Sequence, residues 1–449
     1  MNKDYTALFP VFSSSDAELD RTYAYRCRSF AMHIKDTPAG QVITEFLPDV
    51  PWAGVYNTIN CAAMHHFAEG RWMSDRSPLL SYARFWCGEG DPYLYSFPFA
   101  ASLLGLSEVT GDTDILGELY SSLTRIARHW DDHKVTEGPL KGMYRQSCNR
   151  DGMEFSVSGD GVRPTVNSYM FADFAALSDI AAILDRRADS LVWKTEADRL
   201  RHMINDNLYC TDTGMYITRG EGGENRPVRE QVGYIPWIYG IPESGGDAFR
   251  YLLDTDVFAG KYGLTTADRS HPDYMKHFDH ECLWNGPVWP FATTQTLDAV
   301  IAYLQGGGTA ITPDDFTRML LTYAYSQRDE DGTPYIDENM HPDTGVWLAR
   351  SILREWGRKD MERGRHYNHS AFIDLVLRGI VGIVPSSGDT LRIAPLGKSL
   401  DSFTADDILY HGRKISVEWD RRAGMKVSVD GKPAGEMRAD GKEVTVIVG

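Results

Sequence analysis

The period of the apolar residues changes once along this chain, and that change limits the fold more than any other feature. Up to about residue 380 the apolar positions recur at helical spacing. After a cap-like Asp112, for example, Ile115, Leu116, Leu119, Leu123 and Ile126 share one face of a helix predicted over 112–133. The same spacing predicts helices from the capping cluster Ser13-Ser14-Ser15-Asp16 to about residue 34, and over 57–72, 79–87, 97–110, 293–304, 313–325 and 370–380. The segments 169–184 and 188–208 read as a helical hairpin, and many of the other helices also fall in adjacent pairs joined by Gly/Pro/Asp loops. From about Thr390 the pattern becomes period two: LRIAPL, RKISVEWD, MKVSVDG and KEVTVIVG, with Asp-Gly turns at 430–431 and 440–441. The expectation is a helical body over residues 1–385 and a small antiparallel β appendage over 386–449.

Several function classes fall away on charge and motif. A formal net charge of −17 repels phosphate backbones and anionic membrane surfaces, so nucleic acid is not an expected partner. The six cysteines form no CxxC pair and read as reduced thiols. The amino terminus MNKDYTALFPVF lacks the apolar run of a secretory signal, and no stretch reaches the roughly 18 apolar residues of a membrane helix. With Met1 as the native start, the expected location is cytoplasmic. No Gly-rich phosphate loop and no serine nucleophile elbow is present, and His65-His66 lacks the HExxH spacing of a zinc site. Neither a cofactor nor a metal is expected, and carboxylate chemistry remains.

The unusual residue combinations sit in long polar loops between helices, where catalytic groups concentrate. One holds Asp151-Gly-Met-Glu154-Phe-Ser156. A second holds Tyr335-Ile-Asp337-Glu338-Asn339, followed by His341-Pro-Asp-Thr-Gly345. A third is Trp284-Asn285-Gly-Pro-Val-Trp289-Pro290. Cleaving an acetal takes one carboxyl group to protonate the leaving oxygen and another to activate water or attack the anomeric carbon. Glu154 and Glu338 are far apart in sequence, so only a closed fold whose loops converge at one mouth can unite them. On the residues alone, Asp151 and Glu338 read equally well as helix caps, and Trp284 and Trp289 as packing anchors.

Taken together, these stretches resemble the trehalase and family 63 group of glycoside hydrolases, including mannosylglycerate-hydrolase-type domains. In that group a loop of the form SG-aromatic/Met-D-x-S presents the general acid; here Glu154 stands where the acid Asp would be, which makes Asp151 a rival. The W-x-G-P-x-W turn of the group is similar to Trp284–Trp289. Its E-N/Y-x-x-P-x-T-G loop, carrying the general base, is similar to Glu338-Asn339-Met-His-Pro342-Asp-Thr344-Gly345. A closing segment corresponds to Gly364-Arg-His366-Tyr367-Asn-His-Ser370. The resemblance covers residues 15–400. Many members carry an N-terminal β-sandwich, whereas this chain is expected to begin at the barrel.

The resemblance implies an (α/α)6 barrel, a six-hairpin glycosidase that inverts configuration at an α-linked oligosaccharide or glycoside. Glu154 is then the acid and Glu338 the base. Trp52, Trp237, Trp284 and Trp289 become candidate stacking platforms. Glu45, His65, Arg163, Asn167 and Arg229 become candidate hydroxyl or carboxylate binders from their place in the loops, joined by Asn285, His366 and Tyr367. A negatively charged substrate would favour the arginines. Two other readings stay open: a non-catalytic carbohydrate-binding barrel, and an (α/α)6 polysaccharide lyase or epimerase, for which His366-Tyr367 offers suitable groups.

Overall fold

The computed structural model describes residues 8–276 and 280–449. Helices dominate up to residue 381, and local sequence explains their starts. Pro164–Ile183, Pro290–Gln305 and Pro313–Ser326 each open on proline, whose missing N–H and fixed φ suit the first helical position. Thr312 and Asp315 form a capping box on the last of these. Of the cluster at 13–16, Asp16 is the cap: it accepts from the Glu18 and Leu19 N–H groups at 3.1 and 2.9 Å, fixing the start of Ala17–Met32. The helix expected over 57–72 begins later. Tyr56 and Asn57 have φ of 56° and 59°, and two short 3-10 turns precede the helix Ala63–Gly70. The short helix Leu348–Glu355 is additional to those that apolar spacing predicts.

The helices are of two kinds. Asp114–His129 buries one stripe (Ile115, Leu116, Leu119, Tyr120, Leu123, Ile126, Ala127), whereas Pro164–Ile183 is buried on nearly every side. Fully buried helices need neighbours all round, and their contacts form a circuit. Ala63–Gly70 packs on Phe99–Thr110, that helix on Pro164–Ile183, and the next two contacts are with Ile235–Ile238 and Pro290–Gln305. Phe372–Leu375 then returns the circuit to Ala63–Gly70. Outside it, Arg187–Leu208 lies on Pro164–Ile183, Pro313–Ser326 on Pro290–Gln305, and Ala17–Met32 on Pro313–Ser326. Among the described residues no helix is long and apolar enough to cross a membrane.

The carboxy-terminal part is the antiparallel β structure that the period-two pattern predicts. Ser402–Tyr410, Arg413–Asp420, Gly424–Val429 and Lys432–Met437 are consecutive neighbours, with buried and exposed residues alternating along the first three. The Asp430-Gly431 turn has φ of 49° and 74°, as a tight hairpin turn requires. One strand of this five-stranded sheet comes from the other end of the chain: Val11–Ser14 pairs with Ser402–Tyr410, Val11 opposite Asp406 and Ser14 opposite Phe403. Four residues are too few to show a period, so the sequence pattern alone groups them with the helix cap.

Candidate active site

A cavity of about 430 Å3 opens where several interhelical loops meet, three of them leading into the helices at Ala63, Pro164 and Pro290. Glu154, Glu338 and Glu45 line it, together with Trp52, Trp284, Trp289 and Tyr367. Glu154 is carried by a tightly turned loop. A 3-10 turn, Cys148–Asp151, ends at Gly152 with φ of 69°; a side chain at that position would collide with Cys61 Sγ, so only glycine fits. Phe155, with φ of 60°, then turns the chain away. The Trp284 N–H donates to the Glu154 carbonyl at 3.0 Å, which ties the acid loop to the tryptophan turn. The indoles of Trp284 and Trp289 stack at 4.5 Å and 15°, and the Trp289 N–H is anchored on the Leu283 carbonyl at 2.7 Å.

Glu338 is held from both sides. Its N–H donates to Asp337 at 2.7 Å, and Asp337 in turn accepts from the Tyr335 hydroxyl at 2.6 Å. Asn339 donates to the Glu281 carbonyl at 2.9 Å and accepts from the Ala349 N–H, pinning the loop across the cavity wall. Arg363 reaches the Glu338 carboxylate at 3.3 Å and Glu281 at 2.5 Å, with its guanidinium 4.7 Å over the Trp52 ring. Glu45 accepts from the Tyr367 hydroxyl at 2.6 Å, and its own carbonyl accepts from the Asn368 N–H at 3.0 Å.

Burial dominates the protonation of these acids, because the charged form loses its hydration. It pushes the Glu338 carboxyl up to about 7, against the opposing pull of Arg363. It pushes Glu45 up to about 8, where the Tyr367 hydroxyl opposes and the charges of Glu338 and Glu154 add. Glu154 also rises through burial, while hydrogen bonding, including that from the Cys282 thiol at 3.1 Å, pulls the other way. Among the described residues no group of three or more His, Cys, Asp or Glu side chains could hold a metal ion.

Most of the remaining candidates are engaged elsewhere. Asp151 and Arg163 are fully buried against each other at 2.6 Å, and Arg163 also donates to Ser156 and to the Gly159 carbonyl; the pair braces the acid loop from behind. Asn167 is spent on the Tyr144 backbone at 2.8 and 2.9 Å. Arg229 pairs with Asp268 at 3.0 Å and covers the Tyr251 ring. Trp237 packs edge-on against Phe249 and Tyr303. His65 lies against Phe291 and borders a separate small cavity of about 130 Å3. Asn285 is buried; its backbone carbonyl accepts from the Met275 N–H, while its side-chain Oδ1 has no partner among the described residues. The Nδ1 of His366 meets the Tyr25 hydroxyl at 2.8 Å. Conversely, Glu281, Cys282 and Arg363 line the cavity although no sequence motif contains them, and His369 lines it from within the closing segment. Arg363 and His369 flank or fall in the site-closing segment 364–370. Glu281 and Cys282 shortly precede the tryptophan turn, and adjacency to these motifs is the signal that points to them.

A helical fold with an acid-lined, tryptophan-walled cavity is the equipment of a glycoside hydrolase, and comparison with known proteins agrees. Residues 55–370 match the sequence model of the Mannosylglycerate hydrolase MGH1-like glycoside hydrolase domain, and the chain belongs to that family. A sialidase structure superposes with a TM-score of 0.91 at 31% identity over 98% of this chain; the chain spans 41% of that protein's length. The GH63 mannosylglycerate hydrolase from Thermus thermophilus in complex with glucose aligns with a TM-score of 0.56 at 14% identity. That match covers 75% of this chain and 100% of the other. The α-L-rhamnosidase of Streptomyces avermitilis complexed with L-rhamnose gives 0.62 at 13% identity, over 98% of this chain and 42% of the other. At these last identities the likeness is one of fold. No curated protein matches the chain in sequence.

Proposed function

We propose that the protein is an inverting glycosidase acting on an α-linked sugar, with Glu154 as general acid and Glu338 as general base. The observation that carries the reading is that these two carboxylates, from distant loops, line one cavity beside the stacked Trp284 and Trp289. The frame is read as an (α/α)6 barrel to about residue 385 with the β appendage beyond, to which the strand Val11–Ser14 is joined; the closed circuit of buried helices supports that reading. Glu154 faces a thiol and no guanidinium within ion-pair distance among the described residues; burial favours its protonated form, as a proton donor needs. Burial holds the Glu338 carboxyl at about 7 and Arg363 beside it pulls the other way, so the charge that a base must carry prevails above that pH. Glu45, pushed up to about 8, is protonated near neutral pH and can donate to a sugar hydroxyl. Tryptophan rings suit the apolar face of a sugar. In this reading Asp151 braces the acid loop.

The test is the configuration of the first-formed product, followed by proton NMR during hydrolysis of a panel of aryl glycosides, with Glu154→Gln and Glu338→Gln beside the wild type. Inversion is expected. Glu154→Gln should lose about 10²–10⁴-fold on glycosides with poor leaving groups and far less on activated aryl ones, since general acid catalysis is worth that much. Glu338→Gln should lose both. Retention of configuration, or full activity in either variant on a poor leaving group, overturns the assignment.

A further inference from the structure

The closing segment of the cavity is held from behind by buried side chains at every second residue. The His366 carbonyl accepts from Nε2 of His33 at 2.8 Å, the Asn368 carbonyl from Nε2 of His66 at 2.7 Å and the Ser370 carbonyl from Arg26 at 2.7 Å. The residues between, Tyr367 and His369, line the cavity. His33 also reaches a second segment. Its Nδ1 lies 3.3 Å from the Thr44 hydroxyl, and its carbonyl accepts from the Thr44 N–H at 3.0 Å. Thr44 immediately precedes Glu45, as His366 immediately precedes Tyr367, and these two following residues meet in the cavity, the Tyr367 hydroxyl donating to Glu45 at 2.6 Å. A carbonyl oxygen can only accept, so Nε2 of each histidine carries the proton. Burial holds His33 down to about 3 and His66 down to about 4, so both rings are neutral and their Nδ1 atoms accept, from Thr44 in one and from the Tyr82 hydroxyl at 3.1 Å in the other. Each imidazole is fixed in one tautomer and one orientation.

We propose that His33 and His66 are positioning residues for this cavity: from outside its lining, they hold the backbone that aims the Tyr367 hydroxyl at Glu45. His33 fixes the peptide before Tyr367 and, through Thr44, the start of the Glu45 segment. The peptide after Tyr367 is fixed by the Glu45 carbonyl, which accepts from the Asn368 N–H at 3.0 Å, and the next one by His66. With the backbone set on both sides, the phenol leaves the chain in one direction, and its own torsions are settled by packing edge-on against Phe46 at 4.6 Å. The proposal rests on the glycosidase reading above for the role of Glu45, which there donates to a sugar hydroxyl, and names what places that group. Arg26 is the poorer subject for a test, because it also pairs with the buried Glu69 at 3.4 Å and its removal strands a charge.

The test reads the Glu45 carboxyl directly, by carbon NMR of protein with isotopically labelled glutamate carboxyls, the Glu45 signal being assigned by its loss in Glu45→Gln. In the wild type it should titrate near 8, raised by burial against the pull of the Tyr367 hydrogen bond. His33→Phe and His66→Phe each keep a buried ring and remove its nitrogens. Both should move the titration to higher pH, because a loosened hydroxyl no longer favours the charged form. His33→Gln and His66→Gln, whose amide nitrogen can stand near the place of Nε2, should bring it most of the way back. Thr44→Val, a milder change that takes the hydroxyl from Nδ1 of His33, should act in the same direction as His33→Phe and covers a folding failure of the phenylalanine variants. In a Tyr367→Phe background, with no hydroxyl to aim, none of these changes should move the titration further, an interaction that a general loss of stability does not produce. On an aryl glycoside, kcat/KM should fall about 10- to 100-fold in the phenylalanine variants and recover in the glutamine ones. A Glu45 titration unmoved in the folded variants, or moved equally with and without the Tyr367 hydroxyl, overturns the inference. Titrations that move as expected in a protein that cleaves no glycoside uphold it and overturn the glycosidase reading instead.

Discussion

The Cys282 thiol donates to the Glu154 carboxylate across 3.1 Å, so the group read as the proton donor has a neighbour that favours its charged form. Replacing Cys282 by alanine removes that donor and should raise the Glu154 pKa. In the pH profile of kcat/KM, the limb set by Glu154 should move to higher pH, with the other limb unchanged. A displaced limb in the thiol-free variant, absent in Cys282→Ser where a hydroxyl still donates, is the signature. Two unmoved limbs in Cys282→Ala would remove the thiol from any role at the acid.

Arg363 gives the converse case at Glu338. Its guanidinium opposes the rise that burial imposes, and the carboxyl stands at about 7. One limb of the profile should therefore lie near pH 7. Arg363→Gln withdraws the positive charge, disfavours the carboxylate and should carry that limb upward, with a loss in kcat at pH 6. The limb is measured on an activated aryl glycoside so that chemistry at Glu154 does not mask it.

Acids buried with raised pKa values make the fold itself pH-sensitive. Glu45 and Glu69 stand at about 8, and Glu338 and Asp173 at about 7, against ordinary values near 4 to 4.5. Above the ordinary carboxylate range these acids hold protons that the unfolded chain has released, so they make stability fall as pH rises toward 8; below about pH 6.5 the buried His33, His65 and His66, held down to about 3 to 4 by burial, act in the opposite sense, because there the unfolded chain takes up protons that the folded chain does not. Urea denaturation midpoints should therefore decline between pH 7 and 8, where only the acids contribute. Glu45→Gln, neutral at every pH, should flatten part of the decline.

Asp151 offers a test of bracing against chemistry. Its partner Arg163 is wholly buried, so Asp151→Asn leaves a guanidinium charge with a weakened partner, a type of change that costs about 3–5 kcal/mol when the partner is lost outright. Denaturation should show a large loss of stability. Activity of the folded fraction should fall by a similar factor for good and poor leaving groups. A loss confined to poor leaving groups would instead make Asp151 the acid.

The parts of the site that are legible in sequence are those whose chemistry is written locally. A Gly-Met-Glu loop and a Trp-Asn-Gly-Pro-Val-Trp turn break helical periodicity, and both contribute to the cavity lining. Arg163 and Arg229 mislead because a charged residue in a polar loop looks free until its partner is seen. Asp151 is 12 residues from Arg163 and Asp268 is 39 from Arg229, distances over which no periodicity reports contact. Glu281 and Arg363 escape sequence reading for the same reason in reverse, since their meaning arises only where 281, 338 and 363 converge. In the fold, long helices with one apolar stripe are the elements that periodicity locates well. The Phe372–Leu375 helix runs on into a π-helical turn at Val376–Val381, a change of winding that apolar spacing does not encode.

The strand Val11–Ser14 seated against Ser402–Tyr410 has a consequence for how the chain is made. A ribosome releases this strand long before its partner, which emerges only after every helix of the circuit has been synthesised. Until then Phe12, which ends up against Phe403 and Tyr23, has no sheet to join. The early helices must therefore wait, partly unsealed, for the residues beyond 400. The contact that closes the molecule joins segments nearly 400 residues apart, which places it among the slowest kinds to form. Birth order and assembly order run in opposite directions at this seam.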